Sequence, residues 1–260
     1  MEVKILSGWS NPGGSTTAFI NLTNLLNSNG VPCIFYGAHD WHLDKCSAGT
    51  FDQYRPHKDD ILISHFIKVN PICKKHIYSC HEKGITPLNS MDLSIYNYIV
   101  FVNEDQRKWH NVKCDSVIIP NVYDNLKKNI KQDSSKGTAA VIGSIDTNKQ
   151  THVSIGKALD LGFKEVLLFG KITDDSYFIN KVKPLLSEKV KFKGYLENKQ
   201  EIYDSVEAVF LSSKSEVDPL VKGECYLTGT KFYGNKNTNK GNKPSTKEEV
   251  FNKWVRVFNS

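Results

Sequence analysis

The segment SEVDPLVKGE holds two glutamates, Glu216 and Glu224, just after the apolar run at 208–213. A carboxylate can accept hydrogen bonds from two vicinal hydroxyls. Glu224, expected in the first turn of a helix starting near Val221, therefore suits a ribose diol, and Glu216, in the loop ahead, suits the hydroxyls of a second sugar. The unsatisfied N–H groups of that helix start, at Leu220 and Val221, would face a diphosphate. Lys149, in IGSIDTNKQ, can offer an ammonium to the same phosphates. Two diols joined by a diphosphate describe a nucleotide sugar. Plainer alternatives stand beside these: a glutamate complementing the helix dipole and a solvated lysine.

A second group of residues follows strand ends. The runs AHDWH, SHF and SCHE place His39, Asp40, His65 and His81 after successive apolar segments, so they can gather at one rim; alternatively, each histidine caps only its own strand. Trp9, Trp41 and Trp109 are candidate exposed aromatics near these loops, and Gly13 and Gly14 in NPGGST permit close backbone approach before a helix N-terminus. His39, His42 and Cys46, and likewise Cys73, His76 and Cys80, have ligand types that suit zinc. Cys80 falls inside an apolar strand, however, and no paired Cys-x2-Cys accompanies either set. No Asp-x-Asp pattern for magnesium is present, so no metal site is expected.

The elements that must position these groups follow from periodicity. Apolar runs at 3–8, 31–37, 60–66, 76–81 and 98–103 alternate with polar segments, and the stretch at 17–30 has helical spacing up to Gly30. After a Lys- and Ser-rich stretch the pattern restarts at 138–144, 165–170, 190–195 and 208–213, with a helix near 151–162. Strands alternating with helices or loops imply a parallel sheet covered on both faces. The expected division is a first domain at 1–125, a linker at 126–136, a second domain at 137–245 and a terminal helix at 246–260. Residues 231–249 read as an exposed loop. In the last helix, Val250, Phe251, Trp254, Val257 and Phe258 share one face, which reads as packing.

The chain has 260 residues, 39% hydrophobic and 24% charged, as in a soluble globular protein. No stretch approaches the roughly 18 apolar residues of a membrane span, and the start lacks signal-peptide character, so a cytoplasmic location is expected. Six scattered cysteines suit buried filler in a reducing compartment. The net charge of +6 lies in the second half: residues 1–125 carry 11 Lys/Arg against 12 Asp/Glu. Seven of the eight histidines, in contrast, precede Val112.

The segment SEVDPLVKGE resembles the Glu-x7-Glu motif of family-4 glycosyltransferases. NPGGSTTAFINLTNLLNSNG is similar to their glycine loop and first helix, VIIPNVYD to the passage into their linker, and IGSIDTNKQTH and FKGYLENKQEIYDSVEAVFLSSKSE to their donor-domain segments. The resemblance covers nearly the whole chain. It implies the GT-B fold, an α/β class with two Rossmann-like doubly wound domains facing a central cleft, the acceptor on the N-terminal domain and the donor on the C-terminal one. It also implies retaining transfer from a nucleoside-diphosphate sugar with no cofactor and no obligatory metal. Lys149 would bind the diphosphate, Glu216 the transferred sugar, Glu224 the ribose, the Leu220 and Val221 amides the phosphates, and His81 the sugar near the reaction centre. Gly13, Gly14, Ser144 and Tyr195 complete the donor side; His39, Asp40, Trp41 and His65 form the acceptor side.

Three departures bear on activity, one being that the family's usual Glu-Gly-Phe lead is Glu216-Val217-Asp218 here. Ser144 stands where members often carry an arginine, which weakens the diphosphate clamp, and a shorter chain predicts reduced helices. The expected acceptor is a glycan. Compact transferases of this kind also occur in phages, some glycosylating hydroxymethylated DNA bases, on which aromatics could stack. Against DNA, the N-terminal half has no net positive charge, whereas phosphate neutralisation dominates DNA affinity. A sugar-nucleotide epimerase of the same architecture and a non-catalytic nucleotide-sugar-binding module are the rival readings.

Overall fold

The computed structural model describes residues 1–9, 13–39, 43–69, 72–83, 87–129, 137–239 and 243–260. The chain divides into two compact units, the first comprising Met1–Tyr123 and Pro244–Ser260, the second Asp124–Lys243.

Unit 1 runs through β1 (Val3–Ser7), α1 (Gly14–Ser28), β2 (Cys33–Gly37), β3 (Ala48–Thr50), β4 (Ile61–His65), β5 (Lys75–Cys80), β6 (Tyr98–Phe101), α2 (Glu104–His110) and β7 (Ser116–Ile118). All strands pair in parallel in the order β3-β2-β1-β4-β5-β6-β7. The order reverses at β1, whose last residue, Ser7, pairs with Gly37 on one side and His65 on the other. Beyond such a switch point the connections diverge to opposite faces and leave a crevice at the carboxyl ends of the strands. The alternation of side chains fills both faces. Val3, Ile5, Ile61, Ile63 and Ile77 pack with Phe19 and Leu26 of α1, while Leu6, Tyr36 and Leu62 form a cluster of their own.

Unit 2 repeats the plan with β8 (Thr138–Ile142), α3 (Thr151–Asp160), β9 (Glu165–Phe169), α4 (Asp175–Tyr177, continuing as a π turn over Phe178–Val182), β10 (Val190–Gly194), α5 (Lys199–Ser205), β11 (Ala208–Phe210), α6 (Leu220–Thr228) and β12 (Lys231–Tyr233). The parallel order is β10-β9-β8-β11-β12, with its switch point between β8 and β11. Ala139, Val141, Val166, Leu168 and Phe210 belong to one core, and Ala140, Leu167, Phe169 and Val209 to another, as in a sheet buried on both faces.

The final helix, α7 (Lys247–Asn259), belongs to unit 1 and buries Val250, Trp254, Val257 and Phe258 in its core. A capping box at Thr246 and Glu249 starts it. At its end Lys75 of β5 donates to the carbonyls of Val257 (2.7 Å) and Phe258 (3.1 Å), occupying acceptors that the helix cannot satisfy internally. The apolar stripe is therefore packing.

Four features differ from, or add to, the sequence expectation. Glu224 lies past the first turn of α6, which starts one residue earlier than expected and holds no acidic residue in that turn. The segment expected to be an exposed loop after 230 contains β12, an edge strand of three residues whose Lys231 and Tyr233 face solvent and so carry no apolar run. Lys127 and Asn129, expected in a linker, are tied down by Gln200 at 2.8 Å and by the Thr228 carbonyl at 2.8 Å. Among the described residues no α-helix joins β4 to β5 or β5 to β6.

Candidate functional site

In unit 2 the crevice is built by the loops that follow β8 and β11. Gly170, after β9, has φ +149°, and a Cβ there would stand 1.8 Å from the Gly143 carbonyl oxygen. Only glycine lets these two backbones touch, which fixes the exit of β8. Asp146 then organises the turn, accepting from the Ser144 hydroxyl at 2.6 Å and from the amides of Asn148 and Lys149 at 2.8 Å each. Asn148 laces this loop to the next one. Its side chain accepts from the Ser215 amide at 3.1 Å and donates to the Ser215 carbonyl at 3.2 Å, while the Lys214 amide donates to the Asn148 carbonyl at 2.8 Å.

These bonds bring together Lys149 and Glu216, 67 positions apart, with Nζ donating to Oε1 at 2.5 Å. The side chains keep 26% and 13% of their surface, so a ligand can reach them. A partly exposed ion pair contributes little stability and can be exchanged for a ligand's charge. Leu220 and Val221 are the first two residues of α6, where N–H groups lack helical acceptors. Tyr195 follows β10, 41% exposed, with the Lys171 ammonium 5.7 Å from its ring centroid. Ser144 lies in the same loop as Lys149, its hydroxyl committed to Asp146.

Glu224 is placed differently. It is 3% exposed, Oε1 accepts from Lys199 Nζ at 2.6 Å, and Oε2 accepts from the Tyr203 hydroxyl at 2.6 Å. Lys199 also meets Asp124 at 2.6 Å. Burial alone would lower the Lys199 pKa, but the carboxylates of Glu224 and Asp124 outweigh it and hold the ammonium charged. Burial, reinforced by Glu224, raises the Tyr203 phenol well above its ordinary value.

In unit 1 the strand ends carry a polar cluster. Ser7 Oγ lies 2.9 Å from His65 Nδ1, and His65 Nε2 lies 2.9 Å from Glu82 Oε2, which also accepts from the His81 amide at 3.1 Å. The His65 and His81 rings are 5.6 Å apart, and His81 meets Phe19 edge-on at 4.7 Å. Burial, with His65 beside it, lowers His81 to about 4, leaving a neutral imidazole at physiological pH. Burial raises the Glu82 carboxyl, but the hydrogen bond and charge of His65 prevail and hold it below the usual range. Helix α2 fixes the backbone here: Gln106 donates to the carbonyls of Cys80 and Glu82 at 3.0 Å each. The Leu88 amide donates to His110 Nδ1, so Nε2 carries the proton that reaches the Glu82 carbonyl at 2.9 Å.

Of the expected rim, His65 and His81 meet, and His39 stands exposed two residues past β2; Asp40 and Trp41 lie outside the described residues. His65 is wholly buried, so it can act on a ligand only through Glu82 and His81. Gly13 caps α1 and Gly14 begins it, both exposed. Trp109 is half-buried on α2, whereas Trp9 is 51% exposed. The zinc spacing at Cys73, His76 and Cys80 does not converge: His76 Nε2 pairs with Ser64, Cys80 faces His110, and among the described residues no three ligating side chains cluster for a metal. Sequence reasoning missed Glu82, Asp146, Asn148 and Lys199. Asp146 and Asn148, within a Ser-Ile-Asp-Thr-Asn run after a strand, carry a local Asx-turn signal. Glu82 and Lys199 carry none, because the side chains they pair with, His65 and Glu224, are distant in sequence.

No protein-family model and no curated protein matches the sequence. Solved structures do. HepE of Anabaena, solved in complex with UDP-glucose, superposes with a TM-score of 0.69 at 14% identity over 99% of this chain and 90% of its own. TarM gives 0.70 at 10% identity over 100% and 99%, and sucrose-phosphate synthase of Thermosynechococcus elongatus gives 0.66 at 12% over 100% and 90%. At such identities the likeness is one of fold: the seven- and five-stranded parallel α/β units of this chain match those of GT-B glycosyltransferases.

Proposed function

We propose that the protein is a glycosyltransferase that moves a sugar from a nucleoside-diphosphate sugar to a hydroxyl of a glycan acceptor, with retention and without an obligatory metal ion. The observation that carries this reading is the Lys149–Glu216 pair at the unit 2 switch point. As the bond between the sugar and the diphosphate breaks, charge grows on the leaving phosphate. Lys149, exchanging Glu216 for that phosphate, and the amides of Leu220 and Val221 stabilise the charge. Glu216, released, accepts from hydroxyls of the transferred sugar. The acceptor oxygen bonds to the anomeric carbon on the face from which the diphosphate departs, and its proton passes to the departing phosphate oxygen.

In this reading unit 2 is the donor domain and unit 1 the acceptor domain, with Gly13, Gly14 and the neutral His81 near the transferred sugar and His39, Asp40 and Trp41 toward the acceptor. A central cleft joining the two belongs to the same proposal. Tyr195 lies beside the base, and Ser144 serves through Asp146, which positions Lys149. The ribose contact of Glu224 requires its remaining lone pairs, since Lys199 and Tyr203 hold the others. HepE was solved with UDP-glucose, which makes uridine donors the first to test.

The test is a thermal-shift and hydrolysis screen of UDP-, GDP-, ADP-, CDP- and dTDP-sugars. One donor should stabilise the protein and be slowly consumed; stabilisation by none contradicts the reading. A second reading, a non-catalytic nucleotide-sugar-binding module, is favoured by the committed states of Ser144 and Glu224, and predicts stabilisation without consumption. Conversion of the donor to an isomeric nucleotide sugar, with no nucleoside diphosphate released, would instead indicate an epimerase.

A further inference from the structure

At the unit 1 switch point, two large aromatic rings are left in solvent. Trp9 follows β1 and is 51% exposed; Phe66 follows β4 and is 38% exposed; their centroids are 6.4 Å apart. Neither is a loose appendage. The Ser7 hydroxyl donates to the Trp9 carbonyl at 2.7 Å and accepts from its amide at 3.2 Å. Phe66 has φ +49°, a region that bulky residues avoid, and its carbonyl abuts Gly8, where a Cβ would come within 2.3 Å. Phe66 thus holds a half-exposed ring on a left-handed backbone, and such strain recurs at ligand sites. One ring away lies the polar cluster: His65 is 4.7 Å from the Phe66 ring and bonded to Glu82, whose carboxylate is 26% exposed.

From this juxtaposition we infer that Trp9 and Phe66 form an acceptor subsite for a hexose ring, its C–H face on the aromatics and its hydroxyl edge toward Glu82. The inference deepens the transferase reading and rests on it for the word acceptor. An aromatic platform with a carboxylate beside it satisfies both faces of a sugar. A nucleic-acid base would stack equally well, but the phosphates that accompany it need cations. Residues 1–125 supply 11 against 12 anionic side chains, and Glu82 repels phosphate.

Saturation-transfer NMR on the full chain with methyl β-D-glucoside, methyl β-D-galactoside and cellobiose tests this, with a short single-stranded oligodeoxynucleotide as the competing probe. The ring C–H protons of a glycoside should receive saturation, and Trp9→Ala should weaken binding about tenfold while Trp9→Phe retains most of it. Phe66→Gly should weaken binding without lowering the melting temperature, because glycine adopts the left-handed backbone freely. Equal affinity in Trp9→Ala, no glycoside binding by the wild type, or preferential binding of the oligonucleotide would overturn the subsite. Thermal shift by nucleotide sugars, read on the same samples, separates the two claims: a donor shift with Trp9-independent glycoside binding sinks the subsite alone, and Trp9-dependent glycoside binding without any donor shift sinks the transferase reading alone.

Discussion

Replacing Glu224 by alanine should act first on the stability of unit 2. The truncation removes the acceptor of two bonds of 2.6 Å, one from Tyr203 and one from Lys199. Tyr203 is 1% exposed, so its hydroxyl loses its partner away from water, at about 1–3 kcal/mol. Lys199 keeps Asp124 and a quarter of its side-chain surface, so its loss falls well below the 3–5 kcal/mol of a fully buried broken pair and is taken as about 1 kcal/mol. Together these give about 3 kcal/mol, a large share of the roughly 5–15 kcal/mol typical of a folded protein. Glutamine, which keeps the volume and one acceptor, should lose about half as much. Urea titration separates the units, because all four tryptophans fall within the unit 1 spans. The far-ultraviolet dichroism transition should move to lower urea in Glu224→Ala while the tryptophan emission midpoint stays in place. An unmoved dichroism midpoint would mean that Glu224 does not hold unit 2 together and would return it to the ligand-binding groups.

Three further outcomes follow from particular contacts. Burial lowers His76 and His81 to about 4 in the fold, against 6.5 in the unfolded chain. Between pH 6.5 and 4 the unfolded chain therefore takes up protons that the fold refuses, so unit 1 should lose stability as pH falls through this window, by about 3 kcal/mol for His76, and lose no more from these rings below it; acid titration monitored by tryptophan emission checks this. Gly170→Ala should cost more than about 3 kcal/mol and raise proteolytic cleavage after β8, since no side chain can occupy the 1.8 Å gap to Gly143. Lys75→Met leaves the carbonyls at the end of α7 without their donor and should cost about 2 kcal/mol, read as faster amide exchange in that helix.

The strands were legible because a parallel sheet covered on both faces demands continuous apolar runs, and β1, β4 and β9 carry little else. The helix carrying the second glutamate was expected from near Val221 and begins at Leu220. Short edge strands were not, because β3 and β12 pair on one side only and present polar or exposed residues. The same limit applies to the site. Lys149 and Glu216 could be proposed singly, each after its own strand, and the fold reveals that the switch point makes them neighbours. The commitment of Glu224 to Lys199 and Tyr203 was hidden, since a helix of polar spacing gives no hint of which neighbour its lysine will meet. The histidines divide similarly: His65 and His81 converge because β4 and β5 are adjacent, and burial removes His65 from direct contact with solvent.

In the proposed function the Lys149–Glu216 pair receives the diphosphate and sugar of a nucleotide donor. Calorimetric titration of UDP-glucose, or of whichever nucleotide sugar stabilises the protein, into wild type, Lys149→Met and Glu216→Gln tests it directly. Each substitution should weaken binding about tenfold or more, the loss of a charge-assisted contact, with the lysine variant also weakened toward the free nucleoside diphosphate and the glutamate variant toward the sugar nucleotide only. Donor affinity equal in all three proteins would rule out this pair as the donor site.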